Sequence, residues 1–483
     1  MERRTKIVAT IGPASEDAAT LRRMIAAGMN MARLSLAHGP LEETLERITD
    51  VRSAAADTGE TIGVMADLPG PKIRAATFPA RGVYFTEGDA AEFVPVDGDA
   101  TSDWERIAVD QPELIAQLRP GDRVALGDGG IQFEVEEVFP ERVVTRVLSG
   151  GNLRGRPGVS LPAGRFAIQT PTPEDLRLLA AVVEAGVDAV AVSFVRSAAD
   201  IERVRTAVPP PPEGPMLIAK IETPEAVGAI EEVIAAADGV MVARGDLGIR
   251  ATLEDVPHHQ KMIIRTGVAF ARPVITATQM LESMVQAPTP TRAEVSDVAN
   301  AVFDGTSALM LSGETAIGKD PAKSVETMAK IAVRAEREFD YARWGRELGR
   351  QQSLDTKGGP PRVRITSAIS AAAWRAATDV EAAAIIACTD SGTTARAISR
   401  FRPVMPILAA TPSARTARQL SVAWGITPML IERRATTDDT VWFAVQAAVE
   451  RGVVRRNDIV AVLAGTPTEP EPTTDVLRLV RIH

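Results

Sequence analysis

Leu217-Ile218-Ala219-Lys220-Ile221-Glu222-Thr223-Pro224 is the stretch on which the fold turns. Apolar residues run into a lysine, a glutamate follows two positions later, and Thr-Pro opens a helical pattern. Side chains two apart on an extended chain point to one face, so Lys220 and Glu222 share a side of the strand. A strand that ends in a cation and a carboxylate, at the mouth of a helix, reads as a βα unit with chemistry at its carboxyl end.

The same unit repeats outward in both directions. Upstream, 6–12 reads as a strand stopped by Gly12-Pro13, 17–27 as a helix closed by Gly28, and 31–36 as a strand stopped by His38-Gly39-Pro40. A helix fills about 41–57, and 61–67 is a third strand. Helical periodicity then disappears from 73 to 165. Short runs such as 91–94, 123–126, 132–135 and 143–147 alternate with the turns Gly88-Asp89, Gly121-Asp122 and Gly127-Asp128, which reads as a small all-β insertion. The alternation resumes at Thr172-Pro173-Glu174-Asp175, a strong helix start. Strands follow at 187–194, 216–222, 239–244, 273–278 and 307–312, with Pro209-Pro210-Pro211-Pro212 as a surface spacer before the 216–222 strand. With the first three these make eight, and eight parallel βα units favour a closed (β/α)8 TIM barrel over an open doubly wound sheet. The stretch 341–361 is polar, contains Gly358-Gly359-Pro360-Pro361, and reads as a linker. A second alternating region, 362–483, with strands at 384–388, 406–410, 427–431 and 459–463, reads as a separate open α/β domain. The expected organisation is a barrel of 1–72 and 166–340, an inserted small β-barrel lid of 73–165, the linker, and the C-terminal domain.

Bulk properties narrow the partners. The chain has 483 residues, which suggests about three domains. Its net charge of −9 and 4% aromatic content argue against nucleic acid and anionic membrane. No apolar run reaches the ~18 residues of a membrane span. The start, Met1-Glu2-Arg3-Arg4-Thr5-Lys6, has no apolar signal core. With one cysteine, Cys388, set in an apolar run, no internal disulfide can form, and a cytoplasmic location is expected. Cys388 reads as a small core residue.

In such a barrel the active site lies at the carboxyl ends of the strands. Strand two ends with Arg33, Ser35 and His38, and strand three with Asp67, then Lys72 and Arg74. Strand five supplies Lys220 and Glu222, strand six Arg244, Gly245 and Asp246, strand seven Thr278 and Gln279, and strand eight Ser312 and Glu314. Any one of these could be an ordinary rim charge, but convergence from several strands favours a site. Glu222 and Asp246 are hard oxygen ligands suited to Mg2+ completed by water and substrate. Arg33, Lys72, Arg74 and Lys220 suit phosphate. The 244–246 turn before a helix offers N–H donors to an anion. His38 is either a strand-end cap or a phosphate contact. Positioned positive charge is what phosphoryl transfer requires.

These residues lie in runs that resemble the pyruvate kinase family over nearly the whole chain. The runs are 5–15, 218–222, Val240-Met241-Val242-Ala243-Arg244-Gly245-Asp246-Leu247-Gly248, Ala277-Thr278-Gln279-Met280-Leu281-Glu282-Ser283-Met284, 290–302 and Met310-Leu311-Ser312-Gly313-Glu314-Thr315. The resemblance implies phosphoenolpyruvate and ADP giving pyruvate and ATP. It implies Lys220 on the phosphoryl group in flight and Arg33 on the phosphate. Glu222 and Asp246 would hold Mg2+ or Mn2+, and Gly245 and Asp246 would cradle the substrate carboxylate. Thr278 would stand beside the enolate carbon, Arg74 and His38 would bind the nucleotide, and a second Mg2+ would arrive with ADP. The inserted domain would close as a lid. A homotetramer is implied, as is a phosphorylated effector at Thr389, Ser391, Gly392, Thr393 and Thr394, a stretch that reads equally as a well-capped helix start.

The chain departs from the family pattern at four places. A K+ site formed by Asn, Ser, Asp and Thr becomes Ser35, Ala37, Asp67 and Leu68, of which only Asp67 matches. The glutamate of the usual Asp-Thr-Lys-Gly-Pro-Glu run becomes Lys72, whose ammonium can substitute for the monovalent ion, so activity without K+ is expected. Gly248-Ile249-Arg250 replaces Gly-Val-Glu, and Arg156-Pro157-Gly158-Val159-Ser160 lacks a lysine expected near ADP, unless Arg154 or Arg156 replaces it. Two other readings stand beside the kinase: a Mg2+-dependent carbon–carbon lyase on an enolpyruvate-type substrate, and a catalytically impaired paralogue that binds phosphorylated metabolites. Lys220, Lys72 and the insertion argue against the first, and intact Lys220, Glu222, Asp246 and Thr278 against the second.

Overall fold

Apolar residues at every second position build a barrel with two different faces. On strand six, Gly239–Ala243, Val240 and Val242 face the surrounding helices while Met241 faces the axis. The computed structural model describes residues 3–96, 100–111, 115–127, 130–161, 169–355, 361–465 and 473–483. Eight parallel strands close: one, Lys6–Thr10; two, Met31–Ser35; three, Gly63–Asp67; four, Ala189–Val192; five, Met216–Ile221; six; seven, Val274–Ala277; and eight, Ala308–Leu311. Closure falls between strands one and eight, where Val8 stands opposite Met310. The axis is filled by Val8, Met31, Met65, Met216, Met241 and Met310 with small alanines between them. The next inward position on each strand reaches the carboxyl-terminal rim, and this parity places the polar side chains. Thr10 follows Val8, Arg33 follows Met31, Asp67 follows Met65, Ser193 follows Ala191, and Lys220 follows Ile218.

The helix signals act as read. Thr172 and Asp175 form a reciprocal capping box at the helix Pro173–Glu184. Gly28, at φ 113°, ends the helix Ala18–Ala27 in a conformation other residues avoid.

Between strands three and four the chain forms a β insertion. The expected small β-barrel is realised as a six-stranded sheet with a two-stranded ribbon, Phe78–Phe85 against Gly151–Gly155, beside it. Its core stacks Phe85 edge-on to Phe133 at 5.4 Å, and Phe133 edge-on to Phe93 at 5.3 Å. The turn residue Asp128 and the 165/166 boundary lie outside the described residues.

The stretch expected to be a linker is a helix, Tyr341–Asp355. The polar composition conceals two anchors one turn apart. Trp344 donates Nε1–H to the Arg400 carbonyl at 2.9 Å, and Leu348 is buried in the C-terminal core. The Gly358-Gly359-Pro360 run lies outside the described residues. The C-terminal sheet has the order 426–430, 407–411, 384–388, 459–465, 474–481, with an antiparallel last strand, Thr474–Arg481, that sequence reading missed. No helix among the described residues is long and apolar enough to cross a membrane.

Cys388 is buried, and burial pushes its thiol up to about 12. Because the thiolate is the nucleophile, the native chain at pH 8 is expected to leave a thiol-exchange dye unreacted. Denaturant should release one equivalent of thiol, and prompt labelling of native protein would contradict the packing.

Candidate active site

The rim is organised by a carboxylate that cannot be ionised and buried without cations around it. Asp67 is 3% exposed. The Arg33 guanidinium donates Nε–H to its Oδ2 at 2.7 Å, and the Lys220 ammonium meets its Oδ1 at 3.2 Å. Burial alone would raise the Asp67 carboxyl, but Arg33 and Lys220 outweigh it and hold the group below its usual range. Arg33 also donates to the Thr10 hydroxyl at 3.1 Å, so its reach is fixed at two points.

Lys220 and Glu222 do share a face. Their charged atoms, Nζ and Oε1, are 2.9 Å apart, and Glu222 is fully buried. The other Glu222 oxygen accepts from the backbone N–H of Phe194 at 2.7 Å. Burial pulls the Lys220 ammonium toward the neutral form, yet Asp67 and Glu222 more than reverse this and keep it protonated. Burial pushes the Glu222 carboxyl up, Lys220 opposes the rise, and the nearby Asp246 charge adds to it. Two carboxylates that repel each other beside one cation form an arrangement that a hard divalent ion would relieve. Glu222 Oε1 has no hydrogen-bond donor apart from its ion pair, and Asp246 is half-buried at the start of the short helix Arg244–Arg250. The pair fits Mg2+ completed by substrate oxygens. Among the described residues no group of three or more metal-ligating side chains gathers.

Gly245 and Thr278 meet across the rim. The Gly245 N–H donates to Thr278 Oγ at 2.8 Å, and that hydroxyl donates to the Ala277 carbonyl at 2.7 Å. Thr278 and Gln279 have φ of 68° and 54°, a left-handed backbone costly for side chains other than glycine. Arg244 holds this turn and does not face the site. It donates to the carbonyls of Ala277 and Thr278 and pairs with Asp297 at 2.7 Å. Glu314 is likewise a brace. It is fully buried and accepts from the N–H groups of Leu281 and Ser312, tying the loops after strands seven and eight together. The sequence placed both among the rim charges. Their hydrogen bonds to neighbouring loops occupy them as braces.

The residues expected at a degenerate monovalent-ion position lie on the same rim. Ser35 faces Asp67 in register, and the Leu68 side chain is buried. Lys72 is exposed and lies against Gly158 of the insertion, whose Cβ position would stand 2.8 Å from the Lys72 Cε. Arg74 bridges to the insertion, donating to the Arg156 carbonyl at 3.3 Å while its own N–H donates to Asp110. His38 stands exposed beside this cluster. Crowding by neighbouring atoms and then the charges of Arg74, Lys72 and Arg33 bias its imidazole toward the neutral form. Arg250 lies over the Phe194 ring at 4.8 Å.

Two contributors escaped the sequence. Ser193 accepts from Lys220 at 2.7 Å and donates to the Leu68 carbonyl at 2.7 Å, and Thr10 receives Arg33. Both occupy the inward position at the end of their strands, so strand parity would have found them. In the C-terminal loop, Thr389 accepts from the Gly392 N–H and Thr394 pairs with Thr474. The hydroxyls of Ser391 and Thr393 meet at 3.0 Å on the outer side.

A barrel rim of buried cation–carboxylate pairs defines an enzyme built to manage anionic charge. Residues 2–325 match the family model described as pyruvate kinase, barrel domain, and residues 367–480 match pyruvate kinase, alpha/beta domain. The chain is 39% identical over 482 residues to a pyruvate kinase of Geobacillus stearothermophilus, covering 99% of this chain and 80% of that one. It is 36% identical over 480 residues to one of Clostridium acetobutylicum, covering 99% of each, and 40% identical over 483 residues to pyruvate kinase 2 of Synechocystis, covering 99% and 79%. The chain belongs to the pyruvate kinase family and is a transferase of phosphoryl groups.

If Asp67 is the counter-charge for Arg33 and Lys220, Asp67→Ala leaves two partly buried cations without it. The expected loss is about 3–5 kcal/mol, read as a lower urea midpoint at unchanged slope. A change below ~1 kcal/mol would show that water already screens these charges.

Proposed function

We propose that the chain moves the phosphoryl group of phosphoenolpyruvate to ADP, giving pyruvate and ATP, with Mg2+ or Mn2+ and without a requirement for K+. The observation that carries this reading is the Arg33–Asp67–Lys220–Glu222 chain of charges on the inner rim. Two cations are fixed by one buried carboxylate, and one of them touches half of a carboxylate pair. Loose phosphoryl transfer needs charge placed in advance around the moving group, and little covalent help.

In this reading Arg33 and Lys220 bind the phosphoryl oxygens. The bond from phosphorus to the enol oxygen breaks as a bond to the terminal phosphate oxygen of ADP forms. Mg2+ held by Glu222 and Asp246 would neutralise charge developing on the phosphoryl and enolate oxygens. The substrate carboxylate takes over the Gly245 N–H from Thr278, and the adjoining Asp246 N–H completes its cradle. The released Thr278 hydroxyl then stands beside the enolate carbon and relays to it a proton drawn from water, so that the hydroxyl ends unchanged. Arg74 and His38 face the nucleotide phosphates. The insertion swings over the rim as a lid and keeps water from competing as acceptor.

Independence of K+ rests on charge already in place. Asp67, the one matching ligand, is neutralised by Arg33 and Lys220, Leu68 offers no oxygen from its side chain, and Lys72 brings an ammonium to the same rim. A phosphorylated effector at the 389–394 loop, met by Ser391 and Thr393, an assembly of four copies and a cytoplasmic location belong to the same proposal.

A coupled assay of pyruvate formed from phosphoenolpyruvate, ADP and Mg2+ tests the reaction. Lys220→Met is expected to lower kcat by about 10²–10³-fold or more with the circular dichroism spectrum intact. No pyruvate from the unaltered chain would favour the binding paralogue, and pyruvate without ADP would favour a lyase. In the same assay, KCl at fixed ionic strength is expected to leave turnover unchanged, and a several-fold rise would retire the K+-independent reading alone.

A further inference from the structure

Four arginines line one cavity where the amino-terminal ends of strands seven and eight meet the C-terminal domain. Arg272 comes from the segment before strand seven. Arg396 lies on the helix Thr393–Ser399, and Arg400 and Arg402 follow that helix directly. All four line one cavity of about 10 Å³, with Trp424 and Ser307 among its other walls and no carboxylate in the lining. Arg396, Arg400 and Arg402 are 8%, 8% and 2% exposed.

The hydrogen bonds they make do not balance their charge. Arg396 donates to the Ser391 carbonyl and the Thr393 hydroxyl, Arg400 to the Ala269 carbonyl and Ser367, and Arg402 to the Gly305 carbonyl and Ser307. Arg272 reaches the Ala235 carbonyl at 3.4 Å. Every one of these acceptors is neutral. The Nε atoms of Arg272, Arg400 and Arg402 are buried and have no hydrogen-bond partner among the described residues, although Arg402 lies over the Trp424 ring at 4.7 Å. The carboxylates nearby are committed elsewhere. Asp238 pairs with Arg205 at 2.7 Å and accepts from the Leu217 N–H, while Glu336 accepts from the N–H groups of Arg4 and Thr5. Burial pulls Arg396 and Arg400 down to about 10 and Arg402 to about 9, which still leaves each protonated at neutral pH. Asp238 still draws on Arg272 and Arg396, and Glu336 on Arg402, but buried guanidinium N–H groups without acceptors favour an anion beside them.

We propose that this cavity is a site for a small inorganic anion, of the size of chloride, which neutralises the arginine cluster and clamps the C-terminal domain to the barrel. So small a space, about 10 Å³, suits a monatomic ion better than a polyatomic one. None of residues 389–394 lines the cavity, so this site is separate from any effector at that loop. The two are linked through Arg396, whose guanidinium holds both the cavity wall and that loop. Occupancy stabilises the loop, and through Arg400 and Arg402 it stabilises the carbonyls of the barrel at Ala269 and Gly305. The site stands whatever reaction the rim performs.

Bromide is the probe. Crystals of the full chain grown in sodium bromide are expected to give an anomalous peak in the cavity, within hydrogen-bond reach of an arginine Nε. Density without anomalous signal there, meaning water, would overturn the proposal. In solution, the thermal midpoint is expected to rise by a few degrees, saturably, with sodium chloride against sodium gluconate at matched ionic strength. Arg272→Gln, at the half-exposed edge, should abolish the difference between the two salts. An equal response of the unaltered chain to both salts counts against the site, and the diffraction result decides if the variant does not fold.

Discussion

One buried carboxylate governs the working end of this barrel. Asp67 cannot remain ionised at 3% exposure unless cations are brought to it, and the barrel brings two, from strands two and five. That pairing sets where Arg33 and Lys220 sit before any substrate arrives. Lys220 is then shared with Glu222, which leaves the glutamate half-compensated and repelled by Asp246. Electrostatic preorganisation of this kind lowers the reorganisation needed when charge moves.

The opposite end of the barrel is closed by the C-terminal domain. Val422 joins the axial cluster with Met31, Met216 and Ala308 at the amino ends of their strands. Asp188, fully buried, accepts from Arg52 at 2.6 Å and from Arg418 of the C-terminal domain at 2.9 Å. Arg415 adds bonds to the carbonyls of Glu213 and Val187. With one end plugged and braced, the carboxyl-terminal rim is left for ligands and for the insertion that arises beside Lys72. The arginine cavity lies on this same interface.

Much of this was legible in the chain, and the reason is periodicity. Alternation of strand and helix gave eight units, and the turn-rich break from 73 marked the insertion. Parity along each strand predicts which side chain faces the axis, and it accounts for Thr10 and Ser193 as well as for Lys220. The helix at Tyr341–Asp355 was hidden because its few apolar residues, Trp344 and Leu348 among them, are spread through a polar, charged sequence. The last strand, Thr474–Arg481, was hidden because it is an edge with one solvated face and charged residues along it.

Local order along the chain therefore determined the barrel, the domain sequence and the face on which Lys220 and Glu222 lie, since each depends on neighbours within a few residues. Which charges belong to the chemistry was decided only in three dimensions. Arg244 and Glu314 look like Arg33 and Glu222 in the sequence, but their hydrogen bonds go to the loops after strands seven and eight and, for Arg244, to Asp297. Lys220 acquires its character from Asp67, 153 positions away. Long side chains find partners through space, and at these distances the energy of a charge is set by its partner and its burial, neither of which is written beside it in the chain.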